Sequence, residues 1–106
     1  MDETCIYTGT TPEFIIELPE EISVASITVA YISFEQWGAK LVEKSIEDIG
    51  IDTVNNTVSV TLTQADTLKF AKGELKYQLR FAIGGAAYAT EDFSVPVYTT
   101  IKRGEI

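Results

Sequence analysis

Hydrophobic and polar positions alternate with period two along most of this chain. The clearest run is Leu75–Ile83, where Leu75, Tyr77, Leu79, Phe81 and Ile83 alternate with Lys76, Gln78, Arg80 and Ala82. That pattern predicts a strand with one face in a core and one toward water. Gly84-Gly85 follows and supplies the positive φ that a tight hairpin turn needs. A return strand is expected from Ala86, bulged near Thr90–Asp92 and re-phased onto Phe93, Val95 and Val97.

The other elements can be read around this hairpin. Residues 1–12 form an N-terminal arm, with a short strand at Cys5-Ile6-Tyr7 broken by Gly9-Thr10-Thr11-Pro12. Phe14, Ile16 and Leu18 alternate with Ile15 and Glu17, and Pro12 and Pro19 bracket this run as they would an edge strand. Glu20–Ser23 is a loop or one helical turn. Ile27–Glu35 is apolar on both faces, so it is either a central strand partly covered by the helix or a strand at a subunit interface. Gln36-Trp37-Gly38 turns the chain into Ala39–Lys44, and Ser45–Asp48 is an acidic connection. Ile49–Val54 and Thr57–Thr63 flank a two-residue turn at Asn55-Asn56. Thr63 caps a short helix, with Asp66 three positions on, Leu68 and Ala71 facing inward, and Gly73 closing it. Residues 98–106 form a tail with room for a last strand.

Seven to eight short strands, turns every eight to twelve residues and one short helix predict an all-β fold, a two-sheet β-sandwich. The expected core holds Phe14, Ile16, Leu18, Val29, Tyr31, Val58, Val60, Leu62, Leu68, Leu75, Tyr77, Leu79, Phe81, Phe93 and Val95. At 106 residues the chain is expected to form a single domain. No apolar run approaches the ~20 residues of a membrane span. Neither a basic region nor an apolar signal core opens the chain. The single cysteine, Cys5, excludes an internal disulfide and fits a reducing compartment.

The formal charge is −8, unevenly spread. Residues 1–53 hold eleven acids against Lys40 and Lys44, whereas residues 54–106 hold five acids against six bases. The acidity disfavours nucleic acid. The asymmetry either serves solubility or allows head-to-tail contact between copies. With no histidine, a Ser-His or Cys-His pair cannot be built, and an ordinary zinc site is excluded. The acid pairs Glu20-Glu21, Glu47-Asp48 with Asp52, and Glu91-Asp92 lack the spacing of a calcium loop and read as solvated charge. No catalytic, cofactor or metal residues are assigned, and no enzymatic activity is expected. Trp37 at a turn either folds back over the sheet edge or stands exposed as a binding residue.

Beyond these patterns, the chain resembles a family of small proteins from the tail-module region of phages and prophages of Gram-positive bacteria. The resemblance rests on Tyr7-Thr8-Gly9-Thr10-Thr11-Pro12, Ile32-Ser33-Phe34-Glu35-Gln36, and the segment Leu62-Thr63-Gln64-Ala65-Asp66-Thr67-Leu68-Lys69-Phe70 running on to Gly73. Gln78-Leu79-Arg80, Ala87-Tyr88-Ala89-Thr90 and Lys102-Arg103-Gly104-Glu105-Ile106 complete it. The layout is similar to the N-terminal immunoglobulin-like domain of phage baseplate upper proteins. The resemblance implies an immunoglobulin-like sandwich and a non-enzymatic structural protein of the tail or baseplate. It would be made in the bacterial host cytoplasm and carried in the virion tail, in contact with other tail proteins or with further copies of itself. Candidate interface residues are Tyr7, Thr10, Pro12, Trp37, Ile32, Phe34, Tyr98 and Ile101. The alternative is a carbohydrate-binding or adhesion module in which Trp37, with Tyr31 or Tyr88, forms a sugar platform.

Overall fold

The computed structural model describes residues 5–106, so the part of the arm before Cys5 lies outside the described residues. Among the described residues nine strands form: β1 (Ile6–Tyr7), β2 (Glu13–Glu17), β3 (Val29–Gln36), β4 (Ala39–Ser45), β5 (Gly50–Asp52), β6 (Thr57–Thr61), β7 (Gly73–Ile83), β8 (Ala86–Ala89) and β9 (Phe93–Tyr98). One α-helix, α1 (Gln64–Thr67), joins β6 to β7. The larger sheet runs β1-β9-β7-β3-β4, with β8 also on β7, and the smaller runs β2-β6-β5. All pairs are antiparallel except β1 with β9. This is an immunoglobulin-like β-sandwich, with the two sheets closing on one apolar core.

The β7–β8 turn uses Gly84 at φ +60. The bulge falls where the sequence predicts it: three residues, Thr90–Asp92, face Gln78 and Leu79. Thr90 fills the break, its N–H donating to the Leu79 carbonyl and its hydroxyl accepting from the Leu79 N–H. The strand count exceeds the expected seven to eight partly because this bulge divides one return strand into β8 and β9. Residues 99–106 add no strand.

Several expectations are corrected. Val29 and Tyr31 are 37% and 43% exposed, whereas Ile32 and Phe34 have no exposure at all. The reason is strict alternation along β3. Ala30, Ile32, Phe34 and Gln36 face the smaller sheet, while Val29, Tyr31, Ser33 and Glu35 face outward. Ile32 and Phe34 are therefore core residues and not surface interface residues. Leu68 is only half-buried and Ala71 is exposed; Thr67 and Phe70 fill those places instead. Gly73 does not close the helix but starts β7. The Asn55-Asn56 turn is a four-residue loop, because Asp52 pairs with Thr57. Asn56 takes φ +57 there, and its side-chain amide donates to the Leu18, Pro19 and Ile22 carbonyls and accepts from the Val24 N–H. One side chain thus partners four backbone groups of the loop after β2.

The helix start is as predicted. Asp66 N–H donates to the Thr63 hydroxyl (3.1 Å) and Thr63 N–H to the Asp66 carboxylate (2.9 Å). The same carboxylate pairs with Lys44 at 2.8 Å, both side chains being largely buried. Burial pushes the Asp66 carboxyl up, but Lys44 and the Thr63 donors outweigh it and hold it below its ordinary value of 3.8. A depressed folded value stabilises the protein above the unfolded value and ceases to do so as pH falls through the folded one. Asp66→Ala is therefore expected to cost about 1–3 kcal/mol at pH 7. The gap to wild type should shrink below pH ~4 in urea titrations. A gap that stays constant into strong acid would contradict the pairing.

Candidate docking surface

β3 and β4 are joined by Trp37-Gly38, with φ +51 and +81, the two positive values that a type I′ turn needs. A positive φ is unusual for a bulky residue and stores strain. Trp37 is 74% exposed, yet its ring edge lies against Gly73. A Cβ at position 73 would come within 2.8 Å of the indole, and Gly73 itself has φ +141. Only glycine fits there. Both sequence alternatives for Trp37 are partly met: one ring edge folds back and the rest faces water.

The turn is tied down by Gln36, which is 3% exposed. Its amide donates to the Ala71 carbonyl (2.7 Å) and accepts from the Ala71 N–H (2.8 Å), standing in for a neighbouring strand. Gly73 pairs with Val97, so Tyr98 is the next residue along the neighbouring strand. The Tyr98 ring sits 5.8 Å from that of Tyr7, its partner in the parallel β1–β9 pair. Thr8 N–H donates to the Tyr98 carbonyl (2.9 Å). The next turn is clamped from below by Thr67, which is fully buried. Its hydroxyl accepts from Gly9 N–H (2.9 Å) and donates to the Thr10 carbonyl (2.9 Å). The tail returns to the same end: Thr100 Oγ1 donates to the Thr8 carbonyl and Ile106 N–H to the Gln64 side chain.

One end of the sandwich thus gathers Tyr7, Trp37 and Tyr98 with Ile101 and Ile106. The three aromatic residues are 42–74% exposed and the two isoleucines 92–100%. Of the eight candidate interface residues, Tyr7, Thr10, Pro12, Trp37, Tyr98 and Ile101 come to this end, and Ile32 and Phe34 do not. Thr10 is exposed, its hydroxyl bonding the Tyr7 carbonyl; Pro12 is half-buried, its carbonyl accepting from Leu62 N–H. Beside them, Tyr7, Thr10 and Pro12 line a groove of about 570 Å³ that reaches Phe14, Tyr77 and Val95 between the two sheets.

The sugar platform is not assembled. Tyr31 lies six residues up β3 from Trp37, about 20 Å at ~3.3 Å per residue. Tyr88 stacks on Phe81 toward the far end of β7, with ring centroids 5.4 Å apart. Among the described residues no group of three or more His, Cys, Asp or Glu side chains converges to hold a metal ion. Asp52 is occupied locally: its carboxylate accepts from the Asn55 side chain and from the Asn55 and Val54 N–H groups, which lowers its pKa. Among the described residues no helix is long and apolar enough to cross a membrane.

From the sequence Gln36 reads as a turn residue and Gly73 as a helix stop, and Thr67 has no role of its own; the roles they take here are different ones. Strand parity carries a signal for Gln36, which shares the face of Ile32 and Phe34. Thr67 and Gly73 matter through partners 30 or more residues away, which no local pattern displays.

No family model matches the chain, and no curated protein matches it in sequence. Among solved structures it is similar to part of an endo-β-1,4-mannanase from Thermotoga petrophila, with a TM-score of 0.59 and 10% identity. The match covers 92% of this chain and 18% of that one. At that identity the likeness shows the fold alone.

Proposed function

We propose that this chain is a non-enzymatic structural protein of a phage or prophage tail or baseplate, and that it acts through protein–protein contacts made by the Tyr7–Trp37–Tyr98 end. The resemblance of its sequence motifs supports the tail assignment. The observation that carries the mode of action is the gathering of exposed aromatics at the end where β1 and β9 finish and residues 99–106 return, on a backbone pinned by Gln36 and Thr67. Exposed Trp and Tyr on a rigid support are the residues that dominate interface energies. The partners are other tail or baseplate proteins or further copies of this chain. The protein is made in the host cytoplasm and carried in the virion tail.

The test is particle incorporation. A lysogen of a Gram-positive host carrying the gene is induced, particles are banded on a density gradient, and the protein is sought with antiserum. It is expected to band with tails at a fixed ratio to a major tail protein. Complete particles that leave all of it at the top of the gradient would overturn the proposal.

A second reading, a carbohydrate-binding or adhesion module, is favoured by one observation, the exposure of Trp37. Trp37 is the sole tryptophan, so intrinsic fluorescence reads it alone. A saturable shift with a glycan, lost in Trp37→Ala and accompanied by no incorporation into particles, would select this reading.

A further inference from the structure

The smaller sheet has an edge that no described strand covers. β2 pairs with β6 on one side only. Leu62 N–H donates to the Pro12 carbonyl and Leu18 N–H to the Asn56 carbonyl, so positions 12 and 18 bracket β2 as hydrogen-bonded pairs with the β6 side. Antiparallel ladders alternate, which places Phe14 and Ile16 in the same class. The N–H and C=O groups of Glu13, Ile15 and Glu17 therefore point away from β6. Beside this edge the two sheets part into the groove of about 570 Å³ floored by Ile6, Phe14, Tyr77 and Val95. Phe14 and Tyr77 meet edge to face there, 4.8 Å between centroids.

The side chains at this edge state what would fit. Ile15 is 60% exposed, and Glu13 and Glu17 flank it on the same outer face. Their cross-strand neighbours are Thr61, Ser59 and Thr57, and neither glutamate has an ion-pair partner among the described residues. A second copy docking by the same edge about Ile15 would set Glu13 opposite Glu17 twice, like charge on like charge. A strand bearing basic residues four apart meets both carboxylates with opposite charge, and its intervening apolar side chains turn into the groove.

We propose that the β2 edge is a strand-addition site for an extended segment of a partner protein, with basic residues opposite Glu13 and Glu17 and apolar residues facing Phe14 and Tyr77. Backbone hydrogen bonds supply the attachment and the two carboxylates supply the choice of partner. Pro12 and Pro19 limit the site to about five residues. The site shares with the proposed function only the premise that the ligand is a polypeptide. It is tested without particles, so either can fail alone.

The experiment titrates the ¹⁵N-labelled full chain with acetyl-Lys-Val-Thr-Val-Lys-amide and, as control, acetyl-Glu-Val-Thr-Val-Glu-amide. With the basic peptide, the amide signals of Glu13, Ile15 and Glu17 are expected to shift saturably. Its affinity should exceed that of the acidic peptide by at least about tenfold at low salt, and the gap should narrow as salt is added. Ile15→Pro removes an outward N–H that β6 does not use, so β6 signals should persist while binding is lost. The double variant Glu13→Lys with Glu17→Lys should reverse the preference and keeps the site testable should the proline disturb β2. Equal affinity for the two peptides, shifts centred on Trp37 or Tyr31, or concentration-dependent shifts of the edge without peptide would each overturn the proposal.

Discussion

Phe34→Ala is expected to cost about 3–5 kcal/mol of folding stability, measured by urea unfolding. Phe34 has no exposure, and its ring lies 5.1 Å from Phe14, 5.7 Å from Tyr77 and 6.3 Å from Phe70. Truncation removes the buried ring and leaves a cavity among three other aromatics, which a close-packed core can only partly fill. Against a typical total of about 5–15 kcal/mol, that is enough to leave the domain marginal. Tyr31→Ala, three residues away on the same strand but on the outward face, should cost no more than about 1 kcal/mol. Equal losses for the two variants would contradict the assignment of faces along β3.

Trp37→Gly is expected to separate stability from docking. The side chain occupies a backbone conformation that glycine adopts without strain, so stability should be unchanged or rise by up to about 1 kcal/mol. Loss of an exposed aromatic hot spot should weaken docking by about 2 kcal/mol or more, roughly 30-fold. Competition between variant and wild type for incorporation into the same particles reads this directly. A variant that incorporates as well as wild type would remove Trp37 from the docking surface.

The hairpin, the bulge at Thr90–Asp92 and the capping box were legible because each is written in adjacent residues. Alternation gives the faces of β7, double glycine gives its turn, and Thr63 with Asp66 gives the start of α1. The double apolar character of Ile27–Phe34 misled, since exposed Val29 and Tyr31 look like core residues when hydropathy alone is read. Strict parity with Gln36 resolves it: a polar residue on the Ile32–Phe34 face is buried and paired with Ala71. The candidate site was half legible. Tyr7, Trp37, Tyr98 and Ile101 lie in separate stretches of the sequence, and their gathering at one end depends on the parallel β1–β9 register and on Gly73 making room for the indole. Those are long-range facts of packing. The open edge of β2 was signalled by its flanking prolines, but its groove exists only because two sheets meet there.

The most direct test of the docking surface is hydroxyl-radical footprinting of the free protein against the protein in purified particles. Trp37, Tyr7 and Tyr98 are expected to become protected several-fold, while Tyr31 and Tyr88 keep their free-state reactivity. Protection of Tyr31 and Tyr88 with Trp37 left reactive would place the contact on another face and contradict the account.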